Sequence, residues 1–270
     1  LHGHHQKEAI AMCIIFVAYQ VHKQYPLILA ANRDEFWQRP TQPAQFWPDA
    51  PHILGGRDLL AGGTWLGVSR QGRVAAVTNY RDPQQREAER SRGELVSRFL
   101  MTKEPAAYWR QVVAQRAAYN GFNLLAGSLT ELYYYSNRLA DNKPKPVLLT
   151  PGVYGLSNHL LDTPWFKVEK GKQALKGILA AKTLSPEHLF KLLTDRELAP
   201  DHLLPETGIG YELEKRHSPI FIQDTTYGTR SSTIVLMSRQ YVWFCERSYA
   251  PDYGRFVDRS FVFPLDHGVS

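Results

Sequence analysis

Cysteine is nearly absent, with Cys13 and Cys245 the only two in 270 residues. Two thiols in strand-like runs cannot build a disulfide framework, and they suit a reducing compartment, so a cytoplasmic protein is expected. Long apolar runs are missing as well. Pro26–Ala31 stops at Asn32, far short of the ~20 residues a membrane-crossing helix needs. At the start, His and Lys precede only a brief apolar patch, which lacks the shape of a secretory signal. No HExxH and no closely paired cysteines occur, so a structural zinc is not expected from the scattered histidines. Gly55-Gly56 and Gly62-Gly63 lack the spacing and following lysine of a phosphate-binding loop and read as turns. There is no GxSxG elbow and no CxxCH haem attachment signal, no fixed-period repeat and no low-complexity linker.

What is present is mildly basic. The formal charge of +6 comes from 32 Lys and Arg against 26 Asp and Glu. That excess favours an anionic ligand without identifying one. The arginine-rich stretch Arg81 to Arg98 has Asp82, Glu87, Glu89 and Glu94 interleaved, which makes it a solvated helix face rather than a nucleic-acid stripe.

The pattern opens with strands. Cys13–Gln20 and Pro26–Ala31 read as a hairpin, ended by the polar cluster Asn32-Arg33-Asp34-Glu35. Pro40, Pro43, Pro48 and Pro51 predict a loop without regular structure. Thr64–Ser69 and Arg73–Asn79 form a second hairpin around Arg70-Gln71-Gly72. Ser91 followed by Glu94 matches a capping box for a helix to about Met101, and Pro105 opens another, to about Tyr119. Phe122–Ala126 and Glu131–Ser136 return to strand. Helices are predicted at Trp165–Ala180 and Ser185–Thr194, then β-rich runs at Pro219–Gln223, Ser232–Ser238, Tyr241–Glu246 and Phe256–Phe263. Strands, two helices, strands, two helices, strands is an α+β order built on antiparallel hairpins, with helix pairs available to cover two faces of a sheet stack. The segment 1–11 reads as an extension or expression scar, and 12–270 as a single domain.

Met12-Cys13 carries the chemistry. If Met12 is the natural start and is removed, Cys13 becomes the first residue, with an amine and a thiol on one carbon. Their ordinary pKa values, ~7.7–8.0 and ~8.5, are matched for proton exchange near neutrality, so the pair can be a complete nucleophile and base. The alternative is a buried cysteine opening an apolar strand. Polar groups at strand ends supply the remaining parts of such a site: Arg33 and Asp34, Asn79, Asn158 after Val153–Leu156, and Arg230 in Tyr227-Gly228-Thr229-Arg230. A nearby arginine favours thiolate, and neutral amides stabilise an oxyanion.

Seven segments together, Met12-Cys13-Ile14-Ile15-Phe16, Asn32-Arg33-Asp34-Glu35, Gly62-Gly63-Thr64-Trp65-Leu66-Gly67, Thr78-Asn79-Tyr80-Arg81, Ser91-Arg92-Gly93-Glu94-Leu95, Gly155-Leu156-Ser157-Asn158 and Tyr227 to Thr233, resemble the transport and Golgi organisation 2 family, also called the NRDE family. The likeness runs from Met12 to about Phe263. That family in turn is similar to the cysteine N-terminal nucleophile hydrolases, including penicillin V acylases and bile-salt hydrolases. The resemblance implies a four-layer αββα sandwich and hydrolysis of a linear amide carbon–nitrogen bond. Cys13 would be the nucleophile, Asn79 an oxyanion donor, Asn158 the asparagine of the Thr-Asn-Ser segment, and Arg230 a late active-site arginine. Arg33 and Asp34 resemble the basic and acidic pair near the amine, with the assignment among Asn32, Arg33 and Asp34 left open. No cofactor is implied for hydrolysis. Animal members are associated with haem mobilisation and acyl-lipid handling, so the resemblance also implies a rival role, non-enzymatic carriage of haem or another amphipathic anionic ligand held by Cys13 or a histidine.

Overall fold

The computed structural model describes residues 12–84, 87–140, 145–181 and 183–266; the expected extension 1–11 lies outside the described residues. In chain order the elements are β1 (Cys13–Tyr19), β2 (Leu27–Phe36), β3 (Thr41–Trp47), β4 (Ala50–Asp58), β5 (Leu66–Ser69) and β6 (Val74–Asn79). Helices α1 (Gly93–Met101) and α2 (Pro105–Ala114) follow, then β7 (Phe122–Gly127), β8 (Leu132–Ser136), β9 (Val147–Leu148) and β10 (Gly152–Leu156). Helices α3 (Phe166–Ala180), α4 (Pro186–Leu193) and α5 (Tyr211–Arg216) precede β11 (Tyr227–Met237), β12 (Tyr241–Tyr249) and β13 (Phe256–Pro264).

The strands form two antiparallel sheets. One runs β10-β1-β2-β11-β12-β13 and the other β3 to β9 in sequence order. Alternation along each strand decides what fills each layer. Ile15, Val17, Leu29, Ala31, Val235 and Phe244 of the first sheet face Leu54, Leu66, Val68, Ala76 and Leu125 of the second, making the core between sheets. The intervening residues Ile14, Phe16, Ile28, Ala30 and Ile234 turn outward, under Val168 and Leu175 of α3 and Leu189 and Leu193 of α4. On the far side, Leu95, Phe99 and Leu100 of α1 and Tyr108 and Val112 of α2 cover Ala75, Val77 and Leu124. The protein is therefore an α+β four-layer αββα sandwich, as the helix pairs predict.

The proline-rich stretch departs from expectation. Pro43 lies in β3 and Pro51 in β4, where a loop was predicted. β3 is an edge strand, and its pairing with β4 shifts register between Gln42 and Gln45 and again between Phe46 and Trp47. Those irregularities accommodate residues that cannot donate to a ladder. The polar cluster Asn32–Glu35 does not end β2 but continues it to Phe36. Pro219–Gln223 is not a strand. Nor does the capping box form: Ser91 makes no side-chain cap to the third helical residue, and Glu94 instead pairs with Arg90 at 2.7 Å and accepts from the Tyr119 hydroxyl at 2.5 Å.

Candidate active site

The same alternation that builds the inner core also builds the site. On β1 the inward series Val17, Ile15 ends at Cys13; on β2 Leu29, Ala31 continues to Arg33; on β12 Val242, Phe244 continues to Glu246. Apolar residues fill one end of the gap between the sheets. At the other end these polar continuations meet a cleft of about 910 Å³, walled on the opposite sheet by Gly56, Asp58, Val77 and Asn79.

Cys13 and Arg33 are direct partners in the β1–β2 ladder and line the cleft together. Arg33 is held by a 3.4 Å contact from Nη2 to Glu35 Oε2, while its Nη1 is buried without a hydrogen-bond partner. Arg230 also reaches the cleft. It sits where β11 shifts register against β2, donates to the Phe36 and Arg39 carbonyls and lies against Trp37. Asn79 closes β6 at the cleft wall.

Asp34 and Asn158 are placed differently. As the neighbour of Arg33 on a strand, Asp34 turns its side chain to the helix side, where Oδ1 accepts from Thr229 Oγ1 at 2.6 Å and Oδ2 is buried and unpartnered. Its backbone N–H donates at 3.0 Å to the Met12 carbonyl. Asn32 faces the same way and donates to the Leu193 and Ile220 carbonyls, so its work is to fasten α4 and the segment before β11 to the sheet. Asn158 is fully buried behind the cleft. Its Oδ1 accepts from the Cys13 backbone nitrogen at 3.4 Å, its Nδ2 donates to the Asn79 carbonyl at 2.9 Å, and the neighbouring Ser157 hydroxyl donates to the Cys13 carbonyl at 3.1 Å. Cys13, Arg33, Asp34, Asn79 and Arg230 thus line one cleft, the Asp34 carboxyl turned to the helix side, with Asn158 as its backing.

Burial pushes the Cys13 thiol up to about 12, with the Asp34 charge adding to the rise and the Asp34 N–H and Arg33 opposing it. Burial raises the Asp34 carboxyl above the usual carboxylate range against the pull of Lys167, the Thr229 hydrogen bond and Arg33. It lowers Lys167 of α3 against the pull of Asp34. With Met12 attached the Cys13 nitrogen is a peptide amide and cannot take the thiol proton. Met12 is itself fully buried, with its N–H on the Tyr227 hydroxyl and its sulfur 2.9 Å from Arg81 Nη2. Lys167 and Glu246 were not singled out from sequence; Arg81 and Tyr227 stood only within the family segments, and Arg81, expected on a solvated helix face, is buried outside any helix. For Glu246 the signal was there, since Val242, Phe244 and Glu246 share one strand face. Lys167 gave none, because a lysine in a helix reads as surface. No histidine is among the described residues lining the cleft, and no His, Cys, Asp and Glu grouping suited to a metal ion occurs among the described residues.

A family model described as Transport and Golgi organisation 2 matches residues 12–251. The Transport and Golgi organization 2 homolog of Mus musculus is 39% identical over 94% of this chain and 99% of its own, and the Homo sapiens homolog 40% over the same shares. Among solved structures, an N-acylethanolamine-hydrolyzing acid amidase ortholog of Caenorhabditis elegans aligns at 12% identity and a TM-score of 0.39, covering 83% of this chain and 92% of that one. The match across nearly the whole chain, and relatives this similar, place the protein in the Transport and Golgi organisation 2 family.

Proposed function

We propose that the protein is a cysteine N-terminal nucleophile hydrolase of linear amide carbon–nitrogen bonds, competent once Cys13 carries a free α-amine. The observation that carries this reading is the position of Cys13: its thiol opens on a large cleft, its ladder partner is Arg33, and its nitrogen is held by Asn158. With the amine free, the thiol proton passes to it and the thiolate adds to the substrate carbonyl carbon. Arg33 opposes the burial cost of the thiolate, and the Asn79 side-chain amide is the donor to the oxyanion. The carbon–nitrogen bond breaks as the α-ammonium returns its proton to the leaving amine. Water then attacks the thioester, releasing the acid and restoring thiol and amine. Asn158 fixes where the amine points, and the Asp34 backbone N–H favours the Cys13 thiolate. The test incubates protein beginning at Cys13 with linear acyl amides of graded chain length and reads intact mass and released amine. An acyl adduct on Cys13 with amine release, both lost in Cys13→Ala, is expected; neither appearing across the panel would overturn the reading.

One observation favours a second reading. Phe36, Pro40, Leu60 and Trp65 share the cleft walls with Arg39 and Arg57, a combination that suits an amphipathic anion. In that reading the protein carries such a ligand without turnover. For haem, Cys13 would be the iron ligand at the cleft and the arginines would face the propionates. Saturable acyl-ligand binding that tolerates Cys13→Ala, or saturable haem binding that weakens in Cys13→Ala, with no amine release in either case, supports carriage, and the absence of both removes it.

A further inference from the structure

Glu246 takes no part in the reaction outlined above, yet it faces the same cleft with only 4% of its surface exposed. Its Oε1 accepts from the Ala44 N–H at 2.8 Å and the Ser248 hydroxyl at 3.3 Å, tying β12 to β3. The other oxygen looks across the gap between the sheets at a position without a side chain: a Cβ added at Gly56 would lie 3.5 Å from Oε2. Burial raises the Glu246 pKa, and Arg33 and Arg259 relieve it only through space. A buried carboxylate in this condition is stabilised by a cation brought close to its open oxygen.

Two orphaned polar atoms accompany it. Arg33 Nη1 and Thr233 Oγ1 are both buried and without hydrogen-bond partners. Thr233 pairs in register with Glu246 on one side and with Ala31, two residues before Arg33, on the other. Native proteins rarely leave a buried guanidinium N–H unused, and such a group beside a cleft points to an acceptor supplied from outside. The floor therefore offers one open cationic donor and one open anionic acceptor. A purely anionic head group would meet Glu246 and Glu35, and a purely cationic one would meet Arg33 and Arg230. A head group carrying both charges meets each with its opposite.

We propose that Arg33 and Glu246 form a subsite for a zwitterionic, amino-acid-like head group, its carboxylate on Arg33 Nη1 and its ammonium on Glu246 Oε2. Resting on the hydrolase reading, this makes the substrate an amide borne on the side chain of an α-amino acid, with the amide carbonyl presented to Cys13. The bond cleaved is then the side-chain carbon–nitrogen bond, and water supplies the oxygen of the new carboxylate.

The test needs no turnover. Protein beginning at Cys13 is alkylated with iodoacetamide in the presence of norvaline, N-acetylnorvaline or norvaline methyl ester, and the Cys13 adduct is followed by peptide mass. Norvaline bears both charges, whereas each analogue lacks one. At a concentration about four times its Kd, norvaline slows alkylation about fivefold, and the two analogues at the same concentration leave the rate nearly unchanged. In Glu246→Gln the protection by norvaline, taken against that variant's own uncompeted rate, disappears. Equal protection by an analogue, no protection by norvaline up to its solubility, or full protection retained in Glu246→Gln overturns the proposal. Should Glu246→Gln fail to fold, the three-compound series on the parent protein decides alone. If the protein proves not to be a hydrolase, amine release is absent in the amide screen while norvaline protection persists, so the two failures are told apart.

Discussion

The side-chain oxygen of Asn158 lies 3.4 Å from the backbone nitrogen of Cys13, across 145 residues of chain. One fully buried amide thus joins the start of β1 to the end of β6, because its nitrogen also donates to the Asn79 carbonyl at 2.9 Å. Replacing it by alanine strands both partners in the interior. Asn158→Ala is expected to cost about 1–3 kcal/mol, the desolvation penalty of buried groups left unpaired. Urea denaturation measures the loss; a midpoint unchanged from the parent would show that the amide is not the tie. Acylation of Cys13 in protein beginning at that residue is expected to fall with it, since the amine loses its acceptor.

Arg81 and Glu214 form a pair buried from solvent, with Glu214 also accepting from the Thr207 N–H at 3.0 Å and the Arg81 guanidinium lying 4.7 Å from the Trp165 ring. Removing one partner leaves a charge buried and uncompensated. Glu214→Ala is expected to destabilise by about 3–5 kcal/mol, and the double variant Arg81→Leu with Glu214→Ala to recover part of it. Thermal unfolding of the parent and the two variants decides this. A double variant less stable than Glu214→Ala alone would mean that Arg81 matters through its stacking on Trp165 rather than through its charge.

Much of this framework was written in local pattern, and what was hidden has physical reasons. The hairpin of β1 and β2, the helices α3 and α4, and β13 followed from apolar periodicity and turn residues. β3 and β4 were masked by Pro43 and Pro51: Pro43 sits on an edge strand, and Pro51 sits at the start of β4 within its register shift against β3, before β4 pairs with β5 at Ile53. Asn32 to Glu35 looked like a strand end because polarity rose there. In the folded chain that rise marks the point where the inner face passes from core to cleft, so the strand continues while its environment changes. Cys13, Arg33, Asn79 and Arg230 stood out as strand-end polar groups, and the fold brings them to one cleft. Glu246 shares a strand face with Val242 and Phe244, a signal of position that carries no chemical motif, and Lys167 gave no signal because only tertiary packing buries it.

Two glycines of α3 separate packing from propensity. A Cβ at Gly171 would fall 2.0 Å from Phe16 Cζ, whereas one at Gly177 meets nothing within 4 Å. Gly177→Ala is expected to stabilise by about 0.5–1 kcal/mol through helix propensity. Gly171→Ala is expected to destabilise by about 1–3 kcal/mol, because overpacking pushes α3 off β1. Guanidinium unfolding of both variants reads the signs. A stabilised Gly171→Ala would mean that the helix does not rest on Phe16.

The Asp34 carboxyl supplies a pH dependence of stability with a definite sign. Burial raises its pKa above the ordinary 3.8, so the folded chain holds this proton more tightly than the unfolded one. Its contribution is full below the unfolded value and is lost as pH rises through the folded one. Lys167, lowered from 10.5 by burial, acts at the alkaline end, where stability rises as pH climbs from its folded toward its unfolded value. Urea midpoints of the parent and Asp34→Asn, followed upward from about pH 4, are expected to show the parent losing stability relative to the variant. Parallel curves would contradict the raised carboxyl.

The central claim is that a free amine turns Cys13 from an inert thiol into a nucleophile. The direct measurement is the pH dependence of Cys13 alkylation by iodoacetamide, read by peptide mass, in the chain carrying Met12 and in one beginning at Cys13. With Met12 attached, reaction is expected to be slow at neutral pH and still rising in strong alkali, in keeping with a thiol pushed up to about 12. Beginning at Cys13, the apparent pKa is expected to fall below ~8.5, with fast modification near neutrality. The same raised pKa in both chains would contradict the account and leave Cys13 a buried structural thiol.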